Sequence, residues 1–194
     1  ETAYNDRKVK IEYVSSEHLT PDNVDEQLGH VNGVVICPGF GSRGIEGKFV
    51  AAKYTREHNI PTFGICLGMQ CMAIEFARNV LGYADANSIE MDEKTKHNVI
   101  DIMEEQKAIT NMGGTMRLGA YECVLKKDSK VYEAYKEEHI QERHRHRYEF
   151  NNDYRKQFEE AGMKCVGINP ESDLVEIAVS YTHLRAHETV LDLV

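Results

Sequence analysis

Residues 60–70 read IPTFGICLGMQ, and within them Gly64-Ile65-Cys66-Leu67-Gly68 sets a cysteine between two glycines. The spacing is that of a nucleophile elbow, where glycines make room for a sharp strand-to-helix turn that holds the central side chain exposed and strained. A thiol at a helix N-terminus lies where aligned peptide dipoles favour the thiolate, the reactive form. The pattern therefore predicts Cys66 as a nucleophile; the plainer alternative is a cysteine packed in a tight turn. Cys71 lacks such a frame and is read as packing. Upstream, Cys37-Pro38-Gly39-Phe40-Gly41-Ser42-Arg43-Gly44 forms a glycine-rich loop. Backbone N–H groups from this loop and from Leu67 suit the oxyanion of a tetrahedral intermediate, which makes acyl transfer the expected chemistry. A phosphate-binding or merely tight loop is the alternative, but the lysine and hydroxyl of a P-loop are absent from it.

Such side chains need a scaffold that brings two loops together, and the surrounding pattern supplies one. Residues 8–14 (KVKIEYV) alternate polar and apolar, 34–37 (VVIC) form a short apolar run, and Ile60 to Ile65 reads as a further strand. Between and after them, Ile45, Phe49 and Ala52, and then Met69, Met72, Ala73, Phe76 and Ala77, recur at helical spacing, the second helix closing at Gly82. Strand–helix alternation of this kind predicts an α/β domain with a mostly parallel central sheet flanked by helices. Ligands of open sheets of this type bind outside the carboxyl ends of the strands, where both loops lie. Later strands are expected at Val99–Met103, Leu118–Leu125, 163–168 and 174–178, with a short helix at 130–137 and another capped by Asn152.

Composition narrows the classes. A length of 194 residues suits one domain, 41% hydrophobic and 28% charged residues read as globular, and 23 Lys plus Arg against 32 Asp plus Glu give a net charge of −9. So acidic a chain is a poor candidate for nucleic acid, whose binding draws on clustered cations. No apolar run approaches the ~20 residues of a membrane span, and the opening ETAYNDRKVK lacks the apolar core of a secretory signal. Membrane attachment and export are not expected. Cys37, Cys66, Cys71, Cys123 and Cys165 show no CxxC pair, which favours reduced thiols, a cytoplasmic setting and no metal site.

Six blocks, GFGSRGIEGK at 39–48, IPTFGICLGMQ at 60–70, EFARNVLG at 75–82, ANS at 86–88, GGTMRLG at 113–119 and ERHRHRYEFNN at 142–152, carry a family resemblance. On them the chain resembles the C-terminal glutaminase domains of the CTP synthases, which are class I, triad-type glutamine amidotransferases with a flavodoxin-like fold. The last two blocks select this family over relatives such as GMP-synthesising amidotransferases. The resemblance implies that Cys66 attacks the side-chain amide of L-glutamine, with Gly39 and Leu67 at the oxyanion hole and Leu67, Gly68, Met69 and Gln70 lining the pocket. It also implies that Glu90 binds the α-ammonium and Arg147 the α-carboxylate, the latter through two parallel N–H donors. Without the family, Arg143 to Arg147 reads as a solvated basic patch and Glu90 as surface charge.

The same resemblance implies an amidoligase (synthase) domain as partner, a homo-tetramer, and ATP and Mg with GTP as activator in the intact enzyme, none of them bound by this stretch. Two departures stand out. Pro38 occupies a place where the family usually has glycine, so the loop's donors start at Gly39. The family's His-x-Glu pair, counted from Cys66, falls at Leu191-Asp192-Leu193-Val194, and His183 and His187-Glu188 lack its spacing. Residues 1–179 are thus expected to be a glutaminase domain trimmed at its N-terminus, and 180–194 an unrelated tail. Glutamine hydrolysis should be weak, because nothing replaces the base and its orienting carboxylate. A glutamine-binding module without efficient chemistry and another γ-glutamyl hydrolase or amidotransferase remain the alternatives.

Overall fold

The computed structural model describes residues 8–102 and 117–180, with the backbone of 189–192. The described helices are α1 (Val24–Leu28), α2 (Ile45–Glu57), α3 (Leu67–Asn79), α4 (Lys130–Tyr135) and α5 (Arg155–Glu160). The strands are β1 (Val34–Ile36), β2 (Thr62–Ile65), β3 (Asn87–Ser88), β4 (Asn98–Ile102), β5 (Arg117–Leu125), β6 (His139–His146), β7 (Tyr148–Phe150), β8 (Met163–Ile168), β9 (Val175–Ser180) and β10 (Thr189–Asp192). Seven of them form one sheet in the order β1-β2-β10-β9-β8-β5-β6, and β3-β4-β7 form a second.

The α/β class holds, but the described sheet is mixed. Parallel pairing joins β1 to β2 and β2 to β10; from β10 outward every pair is antiparallel. Chain connection explains the division. Between β1 and β2 the chain makes a crossover through α2, as parallel strands require, whereas a short loop joins β8 to β9 and permits a hairpin. The expected strand at 8–14 does not form: the segment is without ladder pairing, and Val9, Ile11 and Tyr13 stand 56%, 67% and 92% exposed. Its alternation has no described neighbour to pack on or pair with, and a period of two alone does not make a strand. The expected tail boundary at 179 falls inside β9, which runs to Ser180; the tail's β10 lies in the main sheet, with Asp192 opposite Ile65. Asn151, not Asn152, is the cap before α5, its side chain accepting from Asp153 N–H at the start of a 3-10 turn.

Helix α3 is the centre of the core, buried from Leu67 through Ala77. It packs with α2 side chains Phe49 and Ala52, with Ile100 and Phe150 from the second sheet, and with Phe158 of α5. Arg56 of α2 grips Glu75 of α3 through Nη2 at 2.7 Å and Nε at 3.0 Å, and Glu75 is almost wholly buried. That charge is paired and hydrogen-bonded, as burial demands, and it fixes the two helices that carry the glycine loop and the cysteine.

Candidate active site

Cys66 is the hinge between β2 and α3. Its backbone takes φ 55° and ψ −112°, a left-handed conformation that costs a non-glycine residue about 1–3 kcal/mol and persists only where the surroundings enforce it. The flanking glycines do the enforcing. A Cβ on Gly64 would come within 2.6 Å of Met72 Sδ and 2.8 Å of the Met69 backbone nitrogen, and one on Gly68 within 2.0 Å of the Ile36 carbonyl oxygen. Gly64 lets α3 fold back over β2, and Gly68 lets β1 pass beneath the helix start. The elbow pattern is thus two close backbone approaches that aim the thiol.

Cys66 opens onto a cavity of about 270 Å³, a size suited to a metabolite smaller than a drug-like ligand. Cys66, Leu67 and Gln70 line it from the elbow and α3, Gly39 and Phe40 from the glycine loop, Glu90 from the β3–β4 connection, and Arg145, His146, Arg147 and Tyr148 from β6 and β7. Six of the eight expected site residues meet here: Cys66, Gly39, Leu67, Gln70, Glu90 and Arg147. Gly68 and Met69 do not line the cavity, because Gly68 sits under Ile36 and Met69 is wholly buried in the core. Helical geometry turns their positions away from the opening that Leu67 and Gln70 face. Phe40, Arg145, His146 and Tyr148 are additional lining residues that sequence reading did not single out.

Hydrogen bonds set the walls. Gln70 Nε2 donates to the Tyr148 carbonyl at 2.9 Å, so this amide holds the strand turn. Gly41 N–H donates to Glu90 Oε1 at 3.3 Å, and Lys48 Nζ donates to the Cys37 carbonyl at 2.6 Å. The two carry the glycine loop from opposite ends. The backbone N–H groups of Leu67 and Gly39 lie near the Cys66 sulfur and favour its thiolate. Two backbone donors from two loops thus stand beside the nucleophile, where they could meet the oxygen of an amide that the sulfur attacks.

The thiol itself departs from the expectation of a favoured thiolate. Burial pushes the Cys66 thiol up, and the N–H groups of Leu67 and Gly39 offset only part of this; Glu149 adds to the rise and Lys48 opposes it. Desolvation outweighs the helix terminus, so the resting sulfur keeps its proton and needs a base to lose it. Cys71, deeper in α3, is pushed up to about 12 by burial and is inert.

Behind the Arg147 wall lies a buried charge cluster. Arg117 Nη1 meets Glu149 at 3.1 Å, Arg117 Nη2 meets Glu176 at 2.7 Å, and His144 Nε2 meets Glu176. His144 Nδ1 donates to the Glu142 carbonyl at 3.0 Å. Burial pushes Glu149 up to about 7 against the pull of Arg117. Burial also favours a protonated Glu176 and a neutral His144, yet their mutual bond, with Arg117 on the carboxylate, holds Glu176 below and His144 above their ordinary values. His146, edge-on to His144 at 5.3 Å, is lowered to about 4 by burial and by its neighbour's charge. The run 143–147 is therefore not a solvated patch. Strand alternation buries His144 and His146 and leaves Arg143 and Arg145 outside.

The His144–Glu176 pair is not among the cavity-lining residues. His183, His187 and Glu188, the alternative triad partners, lie outside the described residues, as do residues 113–116 of the GGTMRLG block. Among the described residues no group of three His, Cys, Asp or Glu side chains could hold a metal ion.

A family model for glutamine amidotransferase class-I matches residues 2–183. A CTP synthase from Bacteroides thetaiotaomicron is 80% identical over 174 residues, which cover 90% of this chain and 32% of that protein. The chain thus spans about a third of the length of the curated relatives it matches. A solved structure described as the Trypanosoma brucei CTPS glutaminase domain with bound acivicin superposes with a TM-score of 0.88 at 36% identity, covering 97% of this chain and 74% of that one. A glutamine amidotransferase from Thermotoga maritima, with a TM-score of 0.55 at 15% identity over 93% of this chain and 71% of that one, shares the fold alone.

Proposed function

The chain belongs to the class-I glutamine amidotransferases, and within them to the glutaminase domains of CTP synthases, and from this premise we propose that its cavity binds L-glutamine and delivers it to Cys66. The observation that carries the reading is one cavity holding a strained elbow thiol, an acidic Glu90 and a basic Arg147. Arg147 takes the α-carboxylate through its planar fork, and Glu90 takes the α-ammonium while one of its oxygens still accepts from Gly41 N–H. The side-chain amide then faces the sulfur.

Cys66 Sγ attacks the amide carbon, and the oxygen takes up negative charge beside the N–H groups of Gly39 and Leu67. The C–N bond breaks, the thiol proton passes to the departing nitrogen, and ammonia leaves a glutamyl thioester. Water then adds to the thioester, releases glutamate and returns the proton to sulfur. Gly68 and Met69 serve this site as scaffold. We take the glutaminase module as residues 1–179 and 180–194 as a tail, although the family match reaches residue 183 and β10 of the tail pairs with β2 and β9. In the intact enzyme, a cytoplasmic homo-tetramer, ammonia passes to the amidoligase domain for ATP- and Mg-dependent amination of UTP to CTP, with GTP as activator.

The raised thiol supports one further clause. With His146 lowered to about 4 and the His144–Glu176 pair away from the cavity lining, no described histidine is a ready base for the Cys66 proton at neutral pH. On this reading the described site binds glutamine and turns it over slowly. Calorimetry with L-glutamine and an ammonia-release assay test both parts: binding, with slow release abolished in Cys66→Ala, is expected. Absence of binding overturns the reading, and turnover as fast as an intact glutaminase overturns the clause on the base.

A further inference from the structure

We propose that Lys48 is a positioning residue of the thiol site, pinning the root of the glycine loop so that Gly39 N–H stays aimed at Cys66 and bringing positive charge to bear on the sulfur. The inference deepens the cavity's reading as a thiol site and rests on that reading for its catalytic meaning.

Residues 37–40 carry no helix or sheet bonding of their own, and Pro38 offers no N–H. What holds the loop is side chains. Lys48, in the first turn of α2, donates from Nζ to the Cys37 carbonyl at 2.6 Å, one peptide before Pro38. A Cβ on Gly39 would lie 3.6 Å from the same Nζ and 3.3 Å from Leu67 Cδ2. The ammonium therefore sits close beside Gly39, the residue whose N–H lies near the sulfur and favours its thiolate. At the loop's other end Gly41 N–H rests on Glu90, a carboxylate that also serves the substrate's ammonium in the proposed function. Substrate binding engages that anchor, whereas Lys48 stays fixed.

Charge points the same way. The groups around Cys66 are Glu149 on β7, whose charge opposes the thiolate, Lys48 on α2, whose charge favours it, and the cavity-lining Glu90, Arg145, His146 and Arg147. Lys48 is half-buried and attached to the helix that packs on α3, so its charge is only partly screened by solvent.

The test is the rate of iodoacetamide alkylation at Cys66, followed by peptide mass spectrometry across pH in the wild type, Lys48→Met and Lys48→Arg, with amide hydrogen exchange at 39–41 alongside. Lys48→Met is expected to raise the pH midpoint of alkylation by about half to one unit and to speed exchange at these amides by about threefold or more. Lys48→Arg, which keeps charge and donor, stays near the wild type in both. An unmoved midpoint in Lys48→Met, or an equal shift in Lys48→Arg, overturns the proposal. Should circular dichroism show Lys48→Met unfolded, Lys48→Gln replaces it with the same expectations. Failure of glutamine to bind would sink the cavity's function and leave this thiol readout standing, so the two are distinguishable.

Discussion

Replacing His146 with glutamine isolates a pH-dependent share of the stability. Burial, and then the charge of His144, lowers the His146 imidazole from 6.5 to about 4. Between those values the folded protein binds fewer protons at this site than the unfolded chain, so the contribution is full above pH 6.5 and is lost as pH falls toward 4. The gap is worth about 3 kcal/mol in total, of which about 1 kcal/mol is gone by about pH 6 and about 2 kcal/mol by about pH 5. Glu149 works in the opposite sense. Raised to about 7 from 4.5, it binds a proton more readily when folded, and its burial penalty is relieved as pH falls through 7. The two slopes partly cancel in the wild type, so the informative quantity is the difference between variants. Urea unfolding of wild type and His146→Gln at about pH 8, 6 and 5 supplies it. The variant will carry a constant offset from lost ring contacts, but its stability should fall by about 2 kcal/mol less than the wild type's between the two extremes. Parallel curves for the two proteins would refute the assignment of a buried, neutral imidazole to the cavity wall.

Other expectations follow from close approaches and charges. Gly68→Ala places a methyl 2.0 Å from the Ile36 carbonyl oxygen, where backbone meets backbone; it should cost about 1–3 kcal/mol in urea unfolding and change Cys66 alkylation, and no change in either contradicts the account of the elbow. Arg147→Ala should weaken L-glutamine binding about 10- to 100-fold by calorimetry, with Arg147→Lys recovering only part because an ammonium lacks the planar fork. Because burial pushes Cys71 up to about 12, Cys71→Ser should leave the alkylation profile of Cys66 unmoved.

The elbow was legible in sequence because its requirements are local: two glycines at fixed spacing, strand before, helix after. The same holds for β8 and β9, whose short apolar runs match the structure to within a residue or two. Residues 8–14 show where local pattern stops, since an alternating run becomes a strand only if a neighbour offers its edge. Sheet direction was equally out of reach, as α4 lies between β5 and β6 and yet these strands run antiparallel. In the site, the Gly39 loop was marked by its glycines, whereas Glu90 and Arg147 came from family likeness, with no local signal of their own. His146 and Tyr148 were hidden for another reason. Their place on the cavity wall depends on β6 pairing with β5 and β7 with β4, contacts across long stretches of chain. The rise of the thiol was missed because a helix terminus is visible in sequence and desolvation is not.

The central claim is that Cys66 is the nucleophile of a glutamine pocket closed by the glycine loop and the Arg147 wall. A glutamine-analogue electrophile, mapped by peptide mass spectrometry with and without L-glutamine as competitor, tests it most directly. The account predicts a single label on Cys66, suppressed by L-glutamine and slowed by Arg147→Ala. A label on Cys71 or Cys37, or one on Cys66 that L-glutamine leaves unchanged, would contradict it.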